Sequence, residues 1–277
     1  MNLILVDSSF LSFYRFFATL RWMSLAHKEE YKLYKDDIKY DWSKNKIFIE
    51  KYEKMFMDSI VKIIGKKDFK NGKIIFAKDA PQKTLWRSKI TDDYKGERQD
   101  LTLKNNFKPT FDFTYNVIIP KLVDNTNIFV MYFDNMEADD IIAITTNHLK
   151  NKNIFDKLFI VSGDEDFLQL GDEKVYFANF KKKKVFQLTR NEAEENLRKK
   201  IICGDSSDNI KCILEKNTKN KKKLVDELKK DKKELEIYLD KNSDAKKKFK
   251  HNQNMIDFNY IPKKYVKKVE KYLETII

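Results

Sequence analysis

The sequence predicts an α/β fold, a central and mostly parallel sheet flanked by helices, with a helical subdomain at the C-terminus. Three observations carry that prediction. Short apolar runs that read as strands alternate with segments of helical period up to about Gly163. Four of these runs stop on acidic residues: Ile4-Leu5-Val6-Asp7; Ile74 to Asp79; Ile128 to Phe133, leading to Glu137, Asp139 and Asp140; and Phe159 to Ser162-Gly163-Asp164-Glu165-Asp166. Everything after Thr189 is helical in period and rich in lysine. Alternating strands and helices followed by helices alone give a parallel sheet plus a helical appendage.

Taken in order, the first strand ends at Asp7 and is followed by a helix over Phe10 to Leu25, with Phe13, Phe16, Phe17 and Leu20 on one side. His27 to Lys46 is polar and aromatic without clear period, which reads as an exposed insertion. Ile47 to Ile64 resumes helix, and Gly65 closes it. The second strand covers Lys73 to Ala77, and the charged stretch Gln82 to Lys108 follows. Phe111 to Val123 reads as a helix interrupted by Pro120. The third strand spans about Asn127 to Phe133, and Glu137 to Lys150 is a helix with an acidic first turn that Asn135 can cap. The fourth strand ends at Gly163. Val175 to Leu188 reads as a hairpin whose turn carries Lys181, Lys182, Lys183 and Lys184, and Pro262 opens the last helix. No internal repeat is visible.

The acidic strand ends point to chemistry. In an open parallel sheet the carboxyl ends of the strands line one crevice, so carboxylates just past four strands converge there. Packed carboxylates repel, and the remedies are raised pKa values or bound hard cations; oxygen-only ligands favour Mg²⁺ or Mn²⁺. A further acidic pair, Asp205 and Asp208, lies in Gly204-Asp205-Ser206-Ser207-Asp208-Asn209, which gives enough oxygens for two ions. The plain alternative is that such residues cap helices and form turns.

Composition narrows the partner. The chain of 277 residues is 42% hydrophobic and 13% aromatic, enough to bury a core, and carries a net charge of +13. That excess suits a polyanion, although lysine-rich composition also follows from an AT-rich genome. Two cysteines, Cys203 and Cys212, and an opening directly into an apolar strand suggest a reducing, cytoplasmic setting. No apolar run reaches the ~18 residues of a membrane span. His27, His148 and His251 are scattered, so neither a zinc site nor a His-based triad is visible, and no phosphate-cradling G-x-x-x-x-G-K-[ST] loop occurs.

In their order and spacing these motifs resemble the flap endonuclease and 5′-to-3′ exonuclease superfamily, most closely its phage-type ribonuclease H branch. The matching pieces are Leu5-Val6-Asp7, Asp79 with Trp86-Arg87 and Tyr94-Lys95-Gly96-Glu97-Arg98, Glu137-Ala138-Asp139-Asp140, Ser162 to Leu170, Gly204 to Ile210, and Asn254 to Pro262. The resemblance implies a PIN-like 5′ nuclease fold with a nuclease domain over 1–203, a gateway or arch at 82–108, and a helical duplex-binding subdomain over 204–277 that completes the metal site. It also implies that Asp7, Asp79, Glu137 and Asp139 serve a first Mg²⁺ and Asp164, Asp166, Asp205 and Asp208 a second, with Mn²⁺ able to substitute and Asp140 in support. Arg87, Lys95 and Arg98 of the gateway would draw in the scissile phosphate, Tyr94 would stack on a base, and Lys83 would add a nucleic-acid contact; Trp86 is expected to pack rather than stack.

One departure is informative. The family often follows Asp-Asn-Ile with Pro-Gly and a glycine-bearing hairpin, whereas Lys211-Cys212 follows Ile210 here and no glycine comes after Gly204, which leaves a monovalent-cation site there in doubt. Lys216, Lys219, Lys221, Lys222 and Lys223 would hold duplex phosphate instead, or form a solvated face. The expected activity is 5′-to-3′ hydrolysis of duplex DNA or RNA–DNA hybrid, and of 5′ flaps, in primer removal by a monomer working with a single-stranded-DNA-binding protein and a sliding clamp. A PIN-like endoribonuclease and a non-catalytic nucleic-acid-binding module are the alternatives.

Overall fold

The computed structural model describes residues 1–96, 106–124, 126–150, 152–215 and 217–277. The chain opens with β1 (Asn2–Asp7), α1 (Ser8–Ala26), α2 (Lys28–Tyr34), α3 (Lys46–Ile64), α4 (Lys66–Lys70) and β2 (Gly72–Lys78). Next come α5 (Lys108–Phe113), α6 (Ile119–Val123), β3 (Ile128–Tyr132), α7 (Ala138–Leu149), β4 (Lys157–Val161) and the hairpin β5 (Val175–Asn179) with β6 (Lys184–Phe186). The rest is α8 (Arg190–Cys203), α9 (Lys221–Lys230), α10 (Lys232–Lys241), α11 (Ser243–Ile256) and α12 (Lys263–Ile276). None of the described helices is long and apolar enough to cross a membrane.

The six strands form one sheet in the order β3-β2-β1-β4-β5-β6, parallel except for β6. Strand order therefore reverses beside β1, the place where an open α/β sheet leaves a crevice at its carboxyl edge. Register levels the strand ends there: Asp7 pairs with Ala77 of β2, and Val6 with Val161 of β4. Alternation along β1 sends Leu3 and Leu5 to a core with α7 and α12, and Ile4 and Val6 to a core with α1 and α3. A smaller core holds Ile202 of α8 against Leu214, Val225, Leu228, Leu235 and Leu239. The helical region is thus entered from α8 and left at α12, whose Tyr265, Val269 and Leu273 return to the sheet core.

Local detail departs from expectation in three places. The stretch from His27 to Lys46 is largely exposed, as its polarity predicts, but it has regular structure and an anchor: it contains α2, and Trp42 is buried among Tyr31, Tyr40 and Phe48 of α3. Its irregular aromatic spacing reflects packing by rings rather than by a helical stripe. Asn135 does not cap α7. Glu137 takes that place, in a reciprocal capping box with Asp140, while Asn135 sits in the left-handed region at φ 68° and its carbonyl accepts from the Trp86 amide. Between α5 and α6 the backbone makes a π turn over Thr114–Ile118, which admits Pro120 in the first turn of α6 without ending the helical path.

Candidate active site

Asp7 ends β1 and caps α1, one carboxylate oxygen accepting from the Phe10 amide at 2.9 Å and the other from Ser162 Oγ at 3.0 Å. Asp79 follows β2, and its Oδ1 accepts from the Ala138 amide at 2.8 Å, which ties the end of β2 to the start of α7. Asp139 lies in the first turn of α7. Beyond β4, Ser162 Oγ accepts from the Asp164 amide at 3.1 Å, and Asp164 Oδ1 from the Asp166 amide at 2.9 Å. Gly163 lets the Phe10 ring pack directly on the backbone between them, since a Cβ there would stand 2.5 Å from the ring and force it to shift.

The charges of these groups act on one another. Burial, then the charges of Asp79 and Asp164, push the Asp7 carboxyl up to about 7. Asp139 is likewise raised well above the usual carboxylate range, by burial and then by Asp164, Asp7 and Glu137. A set of oxygen donors that share negative charge at this density fits hard divalent cations.

The second cluster is built by a turn after α8. Gly204 adopts φ 71°, and Asp205 and Ile210 exchange backbone hydrogen bonds of 2.9 and 2.7 Å, closing the loop that carries Asp208. One carboxylate oxygen from each of Asp166, Asp205 and Asp208 falls within 4.8 Å of the others. Lys200 of α8 reaches into this group, pairing with Asp166 and, at 2.9 Å, with Asp205. Burial raises the Asp205 carboxyl, but Lys200 and Ser207 outweigh it and hold the group below its ordinary range. A side-chain ammonium thus stands where a cation would suit. Lys200 escaped sequence reading because it was one of many lysines, although its place in the last turn before Gly204 was a usable signal.

Between the clusters stands a tightly paired knot. Arg87 Nη1 pairs at 2.8 Å with both Glu137 and Asp140, and Arg87 Nε donates to the Met255 carbonyl at 2.9 Å. Trp86 Nε1 donates to Asp140 at 2.8 Å. Tyr94 OH donates to Glu137 at 2.9 Å and to Asp208 at 3.3 Å, and Lys95 pairs with the other Glu137 oxygen. Burial would raise Glu137, but Lys95 and Arg87 prevail and hold it low. Burial raises Asp140 despite Arg87.

These contacts correct the gateway reading. Arg87 is 3% exposed and Tyr94 is 5% exposed, so in this structure neither is presented at the surface as a phosphate or base contact. Both are consumed by carboxylates that burial would otherwise strand. Residues 82–96, the first part of the 82–108 gateway, are anchored to the body of the protein. They form short 3₁₀ turns at Gln82–Thr84 and Arg87–Lys89 with Leu85, Trp86, Arg87 and Tyr94 buried. Lys83 is exposed, and Lys95 faces the crevice through Glu137. Arg98 lies outside the described residues, as does Lys216. Lys219 is exposed ahead of α9, and Lys221, Lys222 and Lys223 form its first turn. Three positive charges at a helix N-terminus oppose the dipole, an arrangement that an anion relieves.

A doubly wound sheet that presents carboxylates at its strand ends, closed on one side by helices, is the architecture of the 5′ nucleases. The family described as "5'-3' exonuclease, N-terminal resolvase-like domain" matches residues 2–198, and the chain belongs to this family. A 5'-3' exonuclease of Mycoplasmopsis pulmonis is 30% identical over 184 residues, which cover 63% of this chain and 57% of that protein. Ribonuclease H of Enterobacteria phage T4 is 25% identical over 222 residues, 72% of this chain and 69% of the relative. In three dimensions the chain is similar to the bacteriophage T5 flap endonuclease in a pseudo-enzyme–product complex with DNA and metal ions (TM-score 0.65, 16% identity, 100% of this chain and 99% of that one).

Proposed function

We propose that this protein is a divalent-metal-dependent 5′ nuclease that hydrolyses phosphodiester bonds from the 5′ end of duplex DNA or RNA–DNA hybrid and at 5′ flaps. The observation that carries the reading is the convergence of Asp7, Asp79, Asp139 and Asp164 at the carboxyl edge of the sheet, with a carboxylate triad beside it. Asp7, Asp79 and Asp139 would hold a first ion, and Asp139, Asp164, Asp166, Asp205 and Asp208 a second. Glu137 is the most heavily engaged of the candidate ligands, since both its oxygens already serve Arg87, Tyr94 and Lys95. Magnesium ions bound there would supply a hydroxide nucleophile and neutralise charge on the phosphate, and manganese would serve as well.

The chain's own residues prepare that site. The Ser162 hydroxyl and the amides of Phe10 and Ala138 fix the carboxylates of Asp7 and Asp79 in orientation. Arg87, Trp86 and Tyr94 lock the first turn of α7 from below, so Asp139 is presented by a rigid element. Lys95, held beside the carboxylates by Glu137, would meet the scissile phosphate, and Lys219 to Lys223 would offer phosphate contacts farther along a duplex. Removal of primers, in company with a single-stranded-DNA-binding protein and a sliding clamp, is the cellular task this activity suits.

The experiment is cleavage of end-labelled flap, nicked and hybrid substrates with Mg²⁺. Asp139→Ala and Asp164→Asn should lower turnover by several orders of magnitude while leaving the fold intact. Unchanged turnover in both variants would overturn the assignment.

A further inference from the structure

A second site lies along α1, away from the carboxylates. Arg15 is only 8% exposed, its Nε has no hydrogen-bond partner, and no carboxylate among the described residues pairs with it. Its guanidinium stands 5.7 Å from the centre of the Tyr14 ring. A buried arginine without a counter-ion is a costly thing to keep in a fold, and its charge cannot be shed at any ordinary pH. It opens on a pocket of about 350 Å³ between α1, α3 and the β5–β6 hairpin. Arg15, Lys62 and Lys183 line it on the charged side, and Tyr14, Met55 and Phe180 on the apolar side, with no carboxylate among its described lining residues.

A run of packed aromatic rings links the wall of the pocket to the loop that carries Asp164. Phe10 packs on Gly163, next to Asp164; Phe10 stacks 6.2 Å from Tyr14, and Tyr14 stacks 4.7 Å from Phe180. Eight residues of helix separate Asp7 from Arg15, a distance of ~12 Å at 1.5 Å per residue. At about 3.4 Å per nucleotide that is roughly three to four nucleotides of a strand. Three cations and a row of aromatic faces, at the volume of one small ligand, match a phosphate with its attached sugar or base.

We propose that this pocket is a phosphate-binding subsite for the nucleic-acid strand, in which Arg15 donates to a phosphodiester roughly three to four nucleotides from the scissile bond. This rests on the nuclease reading above for the position of the scissile bond. It also explains the bare charge of Arg15, which the substrate would complete.

The test needs no cleavage. Affinity is measured by fluorescence anisotropy in EDTA on a ladder of labelled nicked duplexes, lengthened one nucleotide at a time on either side of the nick. Wild type should gain about tenfold in affinity at one length, and the log–log salt slope should steepen there by about 0.9. Arg15→Met should lose that step and that increment, and should match wild type on the shorter ladder members. Its urea midpoint should equal or exceed that of wild type, because an uncompensated buried charge has been removed. A step that survives in Arg15→Met, the absence of any step in wild type, or a lowered urea midpoint would overturn the proposal. A second variant tests the subsite without touching the buried arginine: the surface pair Lys62→Ala with Lys183→Ala must flatten the same step, and retention of the step there is equally fatal. A protein that shows the step but never cuts with Mg²⁺ would sink the nuclease reading and leave the subsite standing.

Discussion

Asp7→Asn separates what the acidic crevice does for chemistry from what it does to stability. The folded environment pushes the Asp7 carboxyl from 3.8 to about 7, first through burial and then through Asp79 and Asp164. At about 1.4 kcal/mol per pH unit this sets a ceiling of ~4 kcal/mol on the destabilisation, and relaxation around the charge brings the expected figure to roughly 1–3 kcal/mol. The folded carboxyl binds its proton more tightly than the unfolded one. The stability of the metal-free protein should therefore fall as pH rises from about 4 to about 7, and level off above that. Asparagine removes the titration and keeps the helix cap, since it caps as well as aspartate does.

The assay is urea unfolding in EDTA at about pH 5 and about pH 8, the two sides of most of that window. Asp7→Asn should lie near wild type at the lower pH and be the more stable protein at the higher one. Saturating Mg²⁺ should restore wild type by RT ln(1 + [L]/Kd) and help the variant much less. A variant no more stable than wild type at the higher pH in EDTA would refute the reasoning, because the carboxylates would then not be in conflict.

Arg87→Ala strands the Glu137 and Asp140 carboxylates in the core, and urea unfolding should show a loss of about 3–5 kcal/mol. Tyr94→Phe removes one hydroxyl that serves both Glu137 and Asp208, and should cost roughly 1–3 kcal/mol in the same measurement, with slower cleavage at saturating Mg²⁺. Lys200→Met takes the ammonium from between Asp166 and Asp205. The metal-free melting temperature should fall, and added Mn²⁺ should raise it by more than it does in wild type; an equal rise would mean that the lysine and the ion do not share a place. Lys95→Ala leaves the fold in place and should reduce the single-turnover cleavage rate by roughly 10²-fold, with little change in duplex affinity.

Strands and their acidic ends were legible because both signals are local: apolar runs of strand length, each terminated by carboxylates that a parallel sheet must bring together. What the sequence could not tell was the use to which a charged side chain is put. Arg87 and Tyr94 read as substrate contacts, since an arginine and a tyrosine in a polar stretch look solvent-facing. Their true partners, Glu137, Asp140 and Asp208, lie between 43 and 114 residues away in the chain, and only the fold reveals that burial requires these pairings. The same blindness ran the other way for Arg15. In sequence it is one polar residue on an amphipathic helix, and the structure finds it buried without a counter-ion. A buried cation fully paired inside the protein reports on stability, whereas one left unpaired reports on something that binds from outside. By that criterion Arg87 belongs to the scaffold that presents Asp139, and Arg15, which the motifs passed over, belongs to the surface that meets the substrate.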